Sequence, residues 1–309
     1  MGISNEVLHR VRAVAARQDW VVTAAQLRAA GAGPDSVRRM VRSGQWVPLA
    51  RGRWWVGPDP RGPSLRSRLR AVLLGCGPRV VVAGPTAARL LGIQGLPRDD
   101  GALHFAVPPD SGTRSHQGRH VHHTSVPPEA RMLLDGIPLT SPARTCADLL
   151  LALSREEAVS ALDSALHQRL LAEADRRTVL AHLSGRRGAP QARARVPLAD
   201  ARAESPLETR IRLICLDGGL PPPVLQWRIR DPQQGWQFRI DLGWPDLLVG
   251  VEADGRSPHS APAALYQDRF RQNRLAVLVP GLTLFRFTWA DTYTPEIILT
   301  PLRQALRRT

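Results

Sequence analysis

Apolar residues recur at helical spacing near the start of the chain, where Val7, Val11 and Val14 mark one face of a helix over residues 6–18. Thr23 is placed to cap a second, short helix through Leu27, with Gly31 ending it. Asp35 or Ser36 caps a third helix, Val37-Arg38-Arg39-Met40-Val41-Arg42, which stops at Gly44. Two apolar runs, 46–49 and 54–56, flank Ala50-Arg51-Gly52-Arg53 and read as a hairpin. Further on, the pattern predicts helices over 64–75 and 85–91 and strands over 79–83, 102–107 and 119–126. Helices come next over 142–152, 155–170 and 173–184. Residues 185–195 are basic, rich in small residues and aperiodic, which predicts a connector.

From Glu204 the periodicity changes again. Ser205-Pro206-Leu207-Glu208 opens a helix, and two strand-like runs, 236–242 and 247–253, are separated by Trp244-Pro245-Asp246. An arginine-rich helix over 262–278, a strand over 282–288 and a helix over 295–307 complete the chain. Asp268, Arg269, Arg271 and Arg274 read as the solvated face of that arginine-rich helix, with the arginines tracking a phosphate strand as the alternative. With the hairpin closing at Pro245-Asp246, Asp241 faces Gly250 and Glu252 lies diagonally about 7 Å away. Gly250 then leaves room for an ion between the carboxylates.

The helix, helix, basic helix, hairpin order of residues 1–60 predicts a winged helix-turn-helix. In such a module the third helix enters the major groove and the hairpin tip meets phosphate. Arg38, Arg39, Arg42, Arg51 and Arg53 are its candidate DNA-binding residues. The expected class is therefore an α/β multidomain protein: a winged helix-turn-helix over 1–60, an α/β middle domain over 61–185, a basic linker over 186–203 and an α/β domain with a mixed sheet over 204–309.

Charge sharpens this picture. The formal net charge is +15, and every basic residue is arginine; the chain has no lysine. Residues 1–70 hold 13 arginines against 4 acids, whereas residues 201–309 hold 14 against 11. A positive excess concentrated in one small module points to a polyanion, with double-stranded DNA first. No run of about 18 apolar residues predicts a membrane helix, so the expected location is cytoplasmic. Cys76, Cys146 and Cys215 are isolated, which fits neither a disulfide framework nor a zinc knuckle. Gly84-Pro85-Thr86 lacks the Gly-Lys-Ser/Thr of a phosphate loop. His116, His120, His122 and His123 cluster on a strand, and His120 and His122 share a face. With no cysteine or carboxylate nearby to complete a metal site, they read as a solvated edge or a nucleic-acid-facing surface.

The carboxylates of the last segment carry the candidate chemistry. Asp241 and Glu252 each end an apolar run, and a buried carboxylate is costly unless a cation neutralises it. Glu208 also has a plain reading as the third residue of a capping box, and Asp254-Gly255 one as a turn.

Two resemblances are carried by these residues. The Thr-x-x-x-Leu, Gly and Arg-Gly-x-Trp signposts of the N-terminal segment resemble AbiEi-type antitoxins and related regulators, and Asp135-Gly136-Ile137-Pro138-Leu139-Thr140 resembles their central region. That resemblance implies DNA binding and a possible cognate toxin. Ser-Pro-x-Glu208, Ile-Asp241-Leu-x-Trp-Pro, Val-Glu252-x-Asp254-Gly, His259 and Leu-Phe-Arg-Phe together resemble the domain-of-unknown-function family numbered 559. That family is similar to the very short patch repair endonuclease, in the restriction-endonuclease-like superfamily.

Carried over, this implies Asp241, Glu252, Asp254 and His259 as catalytic residues and Asp241, Glu252 and Glu208 as ligands of Mg²⁺ or Mn²⁺. The reaction implied is DNA phosphodiester hydrolysis. Asp254 stands where the superfamily usually has lysine, Ala253 where the family has an aromatic residue, and His259 is displaced from its usual place. The expected function is thus a DNA-binding protein with a Mg²⁺-dependent endonuclease domain. The alternative is a non-catalytic AbiEi-like antitoxin or transcriptional regulator that uses the nuclease fold as a scaffold. Neither assigns an oligomeric state.

Overall fold

Ser4 accepts a hydrogen bond from the Val7 amide and starts α1 (Asn5–Ala16), whose Val11 and Ala15 face the core. A computed structural model describes residues 3–307 apart from 117, 232–234, 236 and 256–261, and describes the backbone alone for 262–268. The chain forms two compact units, residues 1–87 with 101–141, and residues 88–100 with 142–309. The expected middle domain, 61–185, is thus divided between Ser141 and Pro142.

In the first unit, β1 (Val21–Thr23) comes after α1 and leads into α2 (Ala24–Ala29). Thr23 caps α2 as expected, and Gln26 returns the bond to the Thr23 amide, completing a capping box. Helix α3 (Pro34–Arg42) starts earlier than expected. Gly33 is its N-cap and Pro34, whose φ is already helical, takes the first turn in place of an Asp35 or Ser36 cap. Strands β2 (Val47–Ala50) and β3 (Arg53–Trp55) form the expected hairpin, with β1 added to make an antiparallel sheet of order β1-β3-β2. Val11, Val22, Leu27, Val37 and Trp46 fill the core beneath.

Helix α4 (Leu65–Leu73) ties this module to the rest of the first unit. Arg66 and Arg70 each donate from Nε to one oxygen of Asp19, at 2.9 and 2.8 Å, and Ser67 Oγ donates to the Asp19 carbonyl. Asp19 and Trp20 adopt left-handed φ values of 55° and 62°, a conformation that costs non-glycine residues energy and that these bonds offset. Arg66 also reaches Asp135, and Arg70 the carbonyls of Asp135 and Gly136.

A mixed five-stranded sheet completes the unit. It is built from β4 (Val81–Val82), β5 (Leu103–Val107), β6 (Arg119–His123), β7 (Arg131–Leu134) and β8 (Ile137–Thr140), in the order β6-β5-β4-β8-β7. Between β4 and β5, α5 (Gly84–Leu90) runs on into the second unit. The β7–β8 hairpin turns on Asp135-Gly136, both at positive φ, a dipeptide well suited to a two-residue hairpin turn.

The second unit opens with four helices, α6 (Pro142–Ala152), α7 (Arg155–His167), α8 (Arg176–His182) and α9 (Ala189–Arg195), around a leucine- and alanine-rich core. The linker expected over 186–203 is instead part of this core. Ala189, Ala192, Val196 and Ala199 are buried, Arg195 donates to the carbonyls of Leu150 and Leu153, and Arg186 pairs with Asp148. Small residues that look featureless in sequence let α9 approach α6 closely.

Helix α10 (Pro206–Asp217) and α12 (Pro295–Leu306) pack with one face of a four-stranded sheet, burying Ile211, Leu242, Val251 and Ile298. Its strands are β9 (Val224–Arg230), β10 (Gln237–Trp244), β11 (Val249–Ala253) and β12 (Thr283–Phe287), in the order β12-β11-β10-β9. The β11–β12 pair is parallel and the others antiparallel, so the expected mixed sheet is present, with β9 as an additional strand. Leu275 of α11 (Pro262–Leu278) packs with Ile229, Phe238 and Ile240 in a second cluster. Among the described residues no helix is long and apolar enough to cross a membrane.

Asp163 of α7, 2% exposed, pins the helical part to α10. It accepts from the Asp200 amide at 2.7 Å, Thr209 Oγ1 at 2.7 Å and Arg212 at 2.8 Å. Asp163→Ala strands the buried Arg212 charge and is expected to cost about 3–5 kcal/mol in chemical denaturation at pH 7. Burial outweighs the charge of Arg212 and the three hydrogen bonds, pushing the Asp163 carboxyl up from 3.8 to about 6. Because the folded value lies above the unfolded one, this group favours the folded state most below about pH 4. That contribution declines by about 3 kcal/mol as the pH rises to about 6 and is flat above. A carboxyl-carbon NMR titration placing Asp163 below about 4 would refute it.

Candidate functional site

Helix α3 turns Val37 into the core and leaves Arg38, Arg39 and Arg42 exposed, with 38 and 42 one turn apart. Arg38 is paired with Asp35 one turn earlier at 2.5 Å, a contact that holds the Asp35 carboxyl below its ordinary value. Arg51 is exposed at the β2–β3 turn. There Gly52, at φ 70°, gives its carbonyl to the amide of Ala24 and fixes the turn against α2. Arg53 departs from the expected set. Its guanidinium lies where a Cβ on Gly75 would stand, so this arginine is packed against the start of the loop after α4. Of the five candidates, Arg38, Arg39, Arg42 and Arg51 are therefore the exposed ones.

The carboxylates of the second unit are positioned by α10, β10 and β11. Ser205 Oγ accepts the Glu208 amide at 3.2 Å, so Ser205 caps α10 and one half of the expected capping box is present. The Glu208 carboxylate turns back to the Glu204 amide at 3.0 Å and to Gln226 Nε2 at 2.7 Å. Burial raises its proton affinity, and the nearby Asp241 charge raises it further. Gln226 sits at φ 56°, and the β9–β10 ladder skips the step between its pairs Trp227↔Ile240 and Leu225↔Leu242.

The β10–β11 register pairs Leu242 with Val251, Gly243 with Gly250 and Trp244 with Val249. Gly250 thus stands opposite Gly243 and not opposite Asp241, a two-residue correction to the expected register. The cause is a longer connection. A 3-10 turn at Pro245–Leu247 and left-handed Leu248, at φ 52°, take up residues expected in the second strand. Nor does Gly250 leave room for an ion. Ile240 and Leu284 side chains lie 3.0 Å from where its Cβ would stand.

Asp241 Oδ2 accepts the Ala253 amide at 2.8 Å. Burial raises its proton affinity, against that bond and the charges of Arg271 and Arg239. Glu252 is 8% exposed and is met by two guanidiniums, Arg271 Nη2 at 2.5 Å from Oε1 and Arg286 Nε at 3.1 Å from Oε2. Arg286 stands directly beside it in the parallel β11–β12 register. Arg271 also donates to the Arg239 carbonyl, and Arg239 grips Glu204 through two bonds of 2.7 Å. Asp254 comes after β11, its amide bonded to the Phe287 carbonyl. His259 lies outside the described residues.

This arrangement does not fit a divalent ion. Both Glu252 oxygens meet arginine, one Asp241 oxygen is held by the Ala253 amide, and Glu208 Oε2 is held by two donors. As the side chains stand, no three of His, Cys, Asp or Glu among the described residues form a group that could hold an ion. The charge that a metal would neutralise is neutralised by Arg271, expected on a solvated helix face, and by Arg286, to which the sequence pattern attaches no role.

A family model for the AbiEi antitoxin type of transcriptional regulator matches residues 9–53, which span α1 to the start of β3. The uncharacterized proteins MT2308 and Rv2248, from two strains of Mycobacterium tuberculosis, are each 33% identical over 232 residues, covering 73% of this chain and 81% of theirs. The crystal structure of the RV2827C protein from Mycobacterium tuberculosis is 19% identical and superposes with a TM-score of 0.42, covering 75% of this chain and 90% of that one. The chain belongs to the family of MT2308 and Rv2248, and its residues 9–53 are similar to the AbiEi antitoxin type of regulator.

Proposed function

We propose that the protein is a sequence-specific, double-stranded-DNA-binding transcriptional regulator of the AbiEi antitoxin kind, whose N-terminal module is a winged helix-turn-helix. The observation that carries this reading is the exposed arginine face of α3, inside the segment matched by the regulator model. The element order α1-β1-α2-α3-β2-β3 supports it. Arg38, Arg39 and Arg42 are then set for guanine edges and flanking phosphates, and Arg51 at the hairpin tip for phosphate. A cognate toxin is the protein partner this reading implies.

A second reading, a metal-dependent DNA endonuclease related to very short patch repair enzymes, draws on the sequence resemblance around Glu208, Asp241 and Glu252 and on the nearness of Glu208 to Asp241. It requires Arg271 and Arg286 to give up Glu252 before Mg²⁺ or Mn²⁺ is held. Asp241, Glu252 and Glu208 would be its ligands, with Asp254 and His259 as further candidates.

Gel-shift titration against the DNA upstream of its own gene should show a specific complex. Arg38→Ala combined with Arg42→Ala should weaken it about tenfold or more and lower the salt slope by about one for each phosphate no longer neutralised. Arg53→Ala should leave the slope unchanged. Equal binding by the double variant and the parent would reject the assigned face.

Supercoiled, linear, nicked and mismatched DNA incubated with Mg²⁺ or Mn²⁺ should remain uncut. Glu252→Ala should instead lower stability, by about 1–3 kcal/mol given that both arginines are about one-third exposed. Metal-dependent cutting that Glu252→Ala abolishes would establish the second reading.

A further inference from the structure

Strands β5 and β6 run parallel, with His104 directly beside His120 and Ala106 beside His122. Residues 104, 120 and 122 therefore share one face of the sheet, while Arg119, Val121 and His123 alternate to the other. The His104 ring lies 4.8 Å from His120 and 5.3 Å from His122, centroid to centroid. His104 Nδ1 and His122 Nε2 are 3.1 Å apart. Two nitrogens bound to one tetrahedral zinc, at roughly 2.0–2.1 Å each, would be about 3.3 Å apart.

The backbone beneath is fixed. The His104 amide donates to buried Thr86 at 2.9 Å, its carbonyl accepts from Ala83, and the Val121 amide donates to Ser115 Oγ at 2.9 Å. As the rings stand, their nitrogens do not form a three-ligand group. His120 and His122 are exposed and His104 is half-buried on the neighbouring strand, so the three nitrogens meet one ion only after the rings turn about their side-chain bonds.

We propose that His104, His120 and His122 form a binding site for one divalent transition-metal cation of the zinc class. All three donors are imidazole, which suits Zn²⁺, Ni²⁺ or Cu²⁺ and not Mg²⁺. One strand supplies a His-x-His pair, its neighbour supplies the third ring, and the fourth position is open to solvent. The fixed charge of Arg119 belongs to the opposite face.

Calorimetric titration of the full chain with Zn²⁺ tests this, with Mg²⁺ as the comparison cation and Co²⁺ absorption reporting nitrogen coordination. Expected are one Zn²⁺ per chain, no Mg²⁺ heat, and at least about a tenfold loss of affinity in each of His120→Ala and His122→Ala. His123→Ala, on the other face of the same strand, should bind as the parent does. The His120 and His122 variants remove exposed side chains, and circular dichroism confirms their fold. His104→Ala adds the half-buried ligand as a third arm. Absence of Zn²⁺ binding to the parent, undiminished binding by His120→Ala or His122→Ala, or equal loss in His123→Ala would each overturn the site. The first outcome would leave the His104–His122 contact as an imidazole hydrogen bond alone.

Discussion

The pairing of Glu252 with Arg271 and Arg286 decides what the C-terminal sheet can do. A carboxylate this deeply placed needs a positive neighbour, and two side chains of the chain itself supply it. One comes from α11 and the other from β12, so neutralising the charge also fastens the arginine-rich helix to the sheet. The same bond pattern recurs where Asp163 meets Arg212 and where Asp19 meets Arg66 and Arg70. In a chain without lysine, each of these contacts uses a planar fork whose charge is permanent and whose several donors can be shared between a carboxylate and a carbonyl. Arg70 and Arg271 both do this.

The acids whose spacing suggests a metal site are met by donors of the chain itself: Arg271 and Arg286 at Glu252, the Ala253 amide at Asp241, and the Glu204 amide and Gln226 at Glu208. In this sheet a guanidinium stands where an ion was expected.

Much of the fold was legible in local signals. Thr23 announced the cap of α2, Ser205-Pro206 opened α10, and the basic third helix and its hairpin were readable from periodicity alone. What escaped were relations between distant residues. Asp135-Gly136 is a strong hairpin dipeptide, but the strands beside it are only four residues long and one contains Pro138, so their period is faint. Residues 186–203 lack a periodic apolar face because alanines do the packing. His104 lies 16 residues before its strand partner His120, too far for a histidine cluster to include it. The arginine partners of Glu252 are 19 and 34 residues away, and only β11–β12 pairing and the path of α11 bring them in. The register error at Gly250 came from a loop whose left-handed Leu248 has no sequence signature.

Strand β6 borders the five-stranded sheet, so a row of its backbone donors and acceptors has no neighbouring strand. Proteins guard such borders against edge-to-edge self-association with charge. Here Arg119 supplies a permanent charge, and the residues just before the strand cover its start: Arg119 exchanges both backbone bonds with His116, and the Val121 amide donates to Ser115 Oγ. The turn that leads into the strand thus shortens the row of backbone groups that a second copy could pair with.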